Sequence, residues 1–274
     1  MRPRIEHALP LLIAFGLALT GCGGESPRET PAATASPPPT APPPTLPATS
    51  PSPDATRSPA SPPTATPGGE ERLVAGYYQP LWPFATQAEA QEWQRAHRAD
   101  GRGAWHLDPA RTAIAFTRDY LGFKEIDRAV KTVSEGRHAR VHVGFRAEEG
   151  PRPLVAAIVH LVRYGSGRDA PWEVVGTDDT SLTLTTPEYG AAVGSPLTVG
   201  GRITGVDESI RIQVRGTSVL GEECCLPAGG ENTPWSARVS FTPAPGRTLT
   251  IVASTGGHVA DVERFAVTGV TMAQ

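Results

Sequence analysis

Apolar and polar positions divide the chain into four stretches. Leu9 to Leu19 is an apolar core behind Arg2 and Arg4, too short to span a bilayer. From Cys22 to Gly69 large apolar residues almost vanish, and proline, threonine, serine and alanine dominate. Such a stretch cannot bury a core and is expected to stay disordered, extended by its prolines into a semi-rigid stalk. From residue 70 to 186 the pattern first has the helical period. Thr86 followed by Glu89 predicts a capped helix start, with Ala90, Trp93 and His97 along one face. Asp108-Pro109 opens a second helix whose buried stripe is Ala113, Phe116, Tyr120 and Leu121, with Gly122 as its stop.

The period then changes to two. In ARVHVGFR, Val141, Val143 and Phe145 share one face of a predicted strand, and His142 and Gly144 share the other. Leu154 to Tyr164 reads as a longer strand, and GSGRDAP turns the chain into WEVVG; SLTLT could add another. Two helices followed by antiparallel strands predict an α+β domain over residues 70–186, helices on one sheet face. From 187 to 274 short alternating runs (PLTVGGRIT, SIRIQVRG, SVLG, WSARVSF, RTLTIVAS, ERFAVTGV) are separated by turn clusters such as GVDES, PAPGR and STGGH. That spacing predicts an all-β sandwich. The expected fold is therefore multi-domain.

Two resemblances add to this reading. Leu19-Thr20-Gly21-Cys22, placed directly after the apolar core, resembles the lipobox of bacterial lipoproteins. It implies that residues 1–21 are a cleaved signal peptide and that Cys22 receives diacylglycerol. The protein would then sit on the extracytoplasmic face of the cell membrane, held by its lipid. GSPLTVGGRITGVDESIRIQVRG, with the later WSARVSFTPAPGRTLTIVAS, resembles the immunoglobulin-like domain of bacterial spore germination and sporulation lipoproteins. The features are the Ser-Pro start, Val199 to Gly201, the I-x-I-x-V strand and Phe241. The likeness covers residues 189–270, and it implies a binding or structural module without catalytic residues.

Charge and chemistry narrow the picture further. The net charge of −3 and the scattered arginines leave no basic patch, so nucleic acid is not an expected partner. His138, His142 and His160 form the best metal constellation, but no carboxylate joins them at ligand spacing, and they read as sheet-face histidines. Ser166 stands in Tyr-Gly-Ser-Gly-Arg, which lacks the first glycine of a nucleophile elbow. Trp82, Trp93, Trp105 and Trp172 could line a ligand cleft but read first as core. No metal, no cofactor and no enzyme activity is expected; the expected partner is an envelope protein or cell-wall component. The alternative reading is an envelope enzyme or solute-binding lipoprotein whose cleft is lined by Trp93, His97, Trp105 and His142.

The remaining cysteines stand side by side in GEECCLPAGGENTP. With successive sandwich strands reversing direction, GVDE, this segment and STGGHVA are expected to gather as loops at one pole. That pole would carry Asp207, Glu208, Glu222, Glu223, Cys224, Cys225 and His258. In an exported chain Cys224 and Cys225 are candidates for a vicinal disulfide at an exposed loop tip. Two free thiols, or a soft-metal site completed by His258, are the competing readings.

Overall fold

The computed structural model describes residues 73–147, 150–244 and 246–273. The expected signal peptide (1–21) and the expected lipidated Cys22 with its stalk (22–69) lie outside the described residues. What is described is mostly β, with two sheets and few helices.

Helix α1 (Gln87–Asp100) starts where its cap is written. Thr86 Oγ1 accepts the Glu89 amide at 3.2 Å, while Glu89 Oε2 accepts from the Ala85 amide at 2.8 Å, one residue before the cap. Gly101, at φ 72, ends it. A 3₁₀ turn (Ala104–Leu107) leads to α2 (Pro109–Ala115), whose first amides are accepted by Asp108 Oδ1. The predicted second helix then widens into a π turn, Phe116–Tyr120, before Gly122. The widening carries Tyr120 outward: its hydroxyl donates to the Gly216 carbonyl at 2.9 Å and meets Thr250 Oγ1 at 3.1 Å.

Strands β1 (Arg128–Glu135), β2 (His138–Phe145), β3 (Leu154–Arg163) and β4 (Trp172–Asp178) form an antiparallel sheet in that order. Val141, Val143 and Phe145 are buried as the alternation requires. They pack with Ala113 and Phe116 of the α2 segment and with Trp172 and Val174. At one end of the other face, Val162, Tyr164 and Val175 are covered by Val74, Phe84 and Ala90. The helices thus fall on both faces of this sheet rather than one. The segment before α1 makes a short antiparallel bridge to β4, Leu81 N–H to Val174 O and Val174 N–H to Trp82 O.

The second sheet runs β5 (Ala192–Val193), β9 (Arg264–Met272), β8 (Thr248–Thr255), β6 (Leu197–Arg215), β7 (Val219–Val239). Four predicted short strands are here one long hairpin, β6–β7, closed by the turn at Gly216–Ser218. The expected turn at Gly205–Glu208 is a break in register inside β6, with Asp207 at φ 53. Both halves of β6 contribute to one buried cluster with β8 and β9 (Val199 and Ile203, Ile212 and Val214, Leu249 and Ile251), so the hairpin bends over its own sheet. The SLTLT segment is seen as lone bridges onto the first half of β6, at Leu182–Ile203 and Thr186–Gly200. Val252, Phe265 and Val267 of β8 and β9 enter the core cluster of the first sheet, and Thr177 Oγ1 accepts the Val267 amide.

Candidate ligand-binding site

Trp82 has its backbone held by β4, so its indole projects from a fixed point. It stacks on Trp105 (centroids 5.5 Å, planes 25° apart) and leans on Phe116 and Tyr120. Trp105 lies in turn on His106 at 3.6 Å. Over this aromatic floor opens a cleft of about 480 Å³, lined by Trp82, Trp105, Ile114, Arg111, Arg118 and Ala129 among others. Arg111, Ile114 and Arg118 follow the helical spacing along the outward side of the α2 segment. Among the described residues neither guanidinium has a hydrogen-bond or ion-pair partner, whereas the neighbouring Asp119 carboxylate is 3.8 Å from Lys124. The cleft, whose lining also includes Asp119, therefore offers two cations without a partner among the described residues over an apolar bed.

Trp82 also walls a second cleft of about 450 Å³, shared with Phe84, Glu89, Tyr120, Thr217 and Arg247. Nearby, Glu173 on β4 is completely buried, and its Oε2 accepts the Phe84 amide at 3.1 Å. Burial pushes this carboxyl well above its ordinary range, opposed by the backbone amides of Phe84 and Trp82. The other oxygen, Oε1, has no partner among the described residues. His106 is held neutral, its pKa lowered to about 4 chiefly by burial and then by the His97 charge.

The four residues expected to line a cleft divide. Trp93 lies flat on His97 (5.0 Å, 9°), touches His106 edge-on, and His97 Nδ1 is 2.8 Å from Arg102 O. These contacts tie the end of α1 to the turn that follows, and neither residue lines the open cleft. Only Trp105 lines it. His142 stands on β2 between Lys131 and Ile158, away from the aromatic group, because strand alternation commits it to the opposite sheet face. Arg111 and Arg118 were not foreseen, and Trp82, weighed with the other tryptophans and read first as core, lines the cleft. The two arginines, seven apart on a predicted helix, carried a readable signal; for Trp82 the residue type spoke, but the aperiodic PLWPF assigned it no face.

The histidine pair is real but small: His138 Nδ1 is 3.1 Å from His160 Nε2, with Tyr78 edge-on to both. Burial first, and Arg140 next, lower the His160 pKa to about 4. His142 does not join them, and no group of three metal-binding side chains occurs among the described residues.

The expected polar pole comes apart. GEECC is not a loop tip but part of β7, whose ladder to β6 shifts register at the two cysteines. Cys224 and Cys225 are joined as a disulfide (Cα–Cα 3.7 Å) and stand together opposite Arg211, between the pairs Ile210–Leu226 and Ile212–Glu223. Cys225 takes φ 70, the conformation of a bulged residue. Glu222 beside them bonds Arg211 and Gln213. His258 reaches Asp207 instead, with Nε2 3.1 Å from the Asp207 carbonyl. Glu208, expected at the surface, is buried and paired with Arg264.

No protein-family model, curated protein or solved structure matches this chain.

Proposed function

We propose that this is a lipid-anchored binding protein of the bacterial cell envelope whose aromatic cleft takes an acidic glycan. The observation that carries the reading is the Trp82–Trp105 platform between two unpaired guanidiniums. An indole face accepts the apolar face of a sugar ring, and arginine forks match carboxylate or phosphate geometry in two parallel hydrogen bonds. The anchor reading rests on the lipobox-like Cys22 and the stalk after it, and the disulfide agrees with an oxidising compartment. In this reading an α+β domain (70–186) carries the site, and an immunoglobulin-like domain (187–274) related to those of sporulation lipoproteins supports it. The bent β6–β7 hairpin, which layers one part of its sheet over another, supports the sandwich description.

Titration calorimetry with uronic-acid oligosaccharides tests the site. Binding should weaken with salt, fall by about tenfold or more in Trp82→Ala, and fall comparably in Arg111→Gln/Arg118→Gln with loss of the salt dependence. Equal binding of neutral oligosaccharides, or undiminished binding by the double arginine variant, would sink the glycan assignment. For the anchor, Cys22→Ser should move the protein from the detergent phase to the aqueous phase or leave an unprocessed precursor. Unchanged partitioning would remove the lipoprotein reading.

A further inference from the structure

β1 is the outer strand of the first sheet, and every one of its 8 residues is exposed. Its far edge has no strand partner among the described residues, and such an edge is a template for another chain. Native edges are usually blunted, and β1 is blunted at one end only: Val130 is the extra residue of a bulge between Ala129 and Lys131. From Lys131 to Glu135 the ladder to β2 is regular, and Gly136, at φ 57, closes the strand. Lys131, Val133 and Glu135 share the sheet face of His142, Arg140 and His138, while Thr132 and Ser134 share the core-side face of Val141 and Ala139. Val133 is 45% exposed, an apolar side chain flanked along its strand by Lys131 and Glu135 and facing Arg140 on β2.

We propose that the protein pairs with a second copy of itself through this edge, β1 antiparallel to β1 about a two-fold axis at Val133. KTVSE is complementary to its own reverse. In this register Lys131 faces Glu135 of the other copy, twice; Thr132 faces Ser134, twice; and the two Val133 side chains meet on the axis. Every facing pair lies on one sheet face, as the pleat demands. A shift of one residue sets the core-side face of one copy against the outer face of the other. An axis at Thr132 puts the Lys131 ammonium against Val133 and runs into the bulge; an axis at Ser134 pairs only three residues before the closing turn. Opposite charges directly across strands stabilise and like charges destabilise, so composition and register select one arrangement. The resulting eight-stranded sheet would carry two Trp82 clefts, so a polymeric glycan could engage both at once. That last consequence rests on the glycan reading; the dimer does not.

The test is cysteine cross-linking of the full chain under a mild oxidant, read on non-reducing gels. Across the axis the Val133 Cα atoms stand about 4.5–5.5 Å apart, within the Cα separation a disulfide spans. Val133→Cys should therefore dimerise at least about tenfold faster than Val206→Cys, a random-collision control at a site 78% exposed. In the Val133→Cys background, Lys131→Glu and Glu135→Lys should each slow the reaction, by setting like charges opposite one another, and the double swap should restore it. All these positions are on the exposed strand or an exposed bulge, so folding is not at issue, and melting curves confirm that. Cross-linking of Val133→Cys no faster than the control, or a double swap no better than either single swap, overturns the proposal.

Discussion

Glu173→Gln should be more stable than the native protein at neutral and alkaline pH, and the advantage should shrink to nothing in acid. Glu173 is fully buried on β4, and burial raises its carboxyl well above the ordinary value of 4.5. The folded state therefore holds the proton more tightly than the unfolded state does. Below the unfolded value both states are protonated and the contribution to stability is complete. As pH rises through the folded value, that contribution is lost, at about 1.4 kcal/mol for each unit by which the two values differ. Glutamine keeps a carbonyl oxygen for the Phe84 amide and has no proton to lose. Leucine keeps the volume but leaves that amide unpaired, at about 1–3 kcal/mol. Glu173→Leu should thus be the least stable of the three in acid, where the native acid is neutral and still accepts the Phe84 amide. Thermal melts from about pH 4 to 8 measure this. His106 and His160, with values lowered to about 4, make all three proteins lose stability as pH falls from the ordinary histidine value of 6.5, so the differences between variants isolate residue 173. Parallel curves for native protein and Glu173→Gln would show that the carboxyl is not desolvated as described.

Arg264→Ala should cost about 3 kcal/mol, the lower part of the range for breaking a buried ion pair, because Arg264 keeps some water. The Glu208 side chain is 3% exposed and that of Arg264 29%. Among the described residues the second Glu208 oxygen, Oε2, has no partner, and the arginine is the carboxylate's only compensation. Removing it leaves an uncompensated charge at the register break of β6, beside the loop that His258 ties to Asp207. Glu208→Gln in the Arg264→Ala background should recover much of the loss, since an amide is far cheaper to bury alone than a carboxylate. Urea midpoints compare the three proteins. If Arg264→Ala unfolds at the native midpoint, the pair is solvated and the bend of β6 does not depend on it.

Local signals decided much of the fold. Thr86 with Glu89, Asp108 with Pro109, and the alternation of Val141, Val143 and Phe145 each act within a few residues, and each element stands where its signal lies. The π turn after α2 carries no such mark. It follows from Tyr120 reaching Gly216 and Thr250, nearly a hundred or more residues away in sequence. GVDES and GEECC show the opposite failure, because their composition is that of loops. Gly205 and Asp207 supply a bulge rather than a reversal, since Glu208 finds Arg264 across the sheet and the ladder to β7 resumes at Ala228. A turn signal states that the chain can bend; whether it reverses depends on which strand lies opposite.

The site divides along the same line. Trp93, His97 and Trp105 were legible as an aromatic group because two lie on one helix face and the third begins the next turn. Trp82 reaches the floor of the cleft only because β4 pairs with the segment that carries it, and His142 is excluded by the parity of its strand. The cysteine pair was open to three chemistries in the sequence and is bonded within a bulge in the structure. By itself the sequence determined what acts at short range: helix caps and strand faces. Tertiary structure alone decided strand lengths, the bend of the long hairpin, the burial of Glu173 and Glu208, and which aromatics meet. Those depend on contacts between residues far apart in the chain, whose free energy appears only when both partners are already in place.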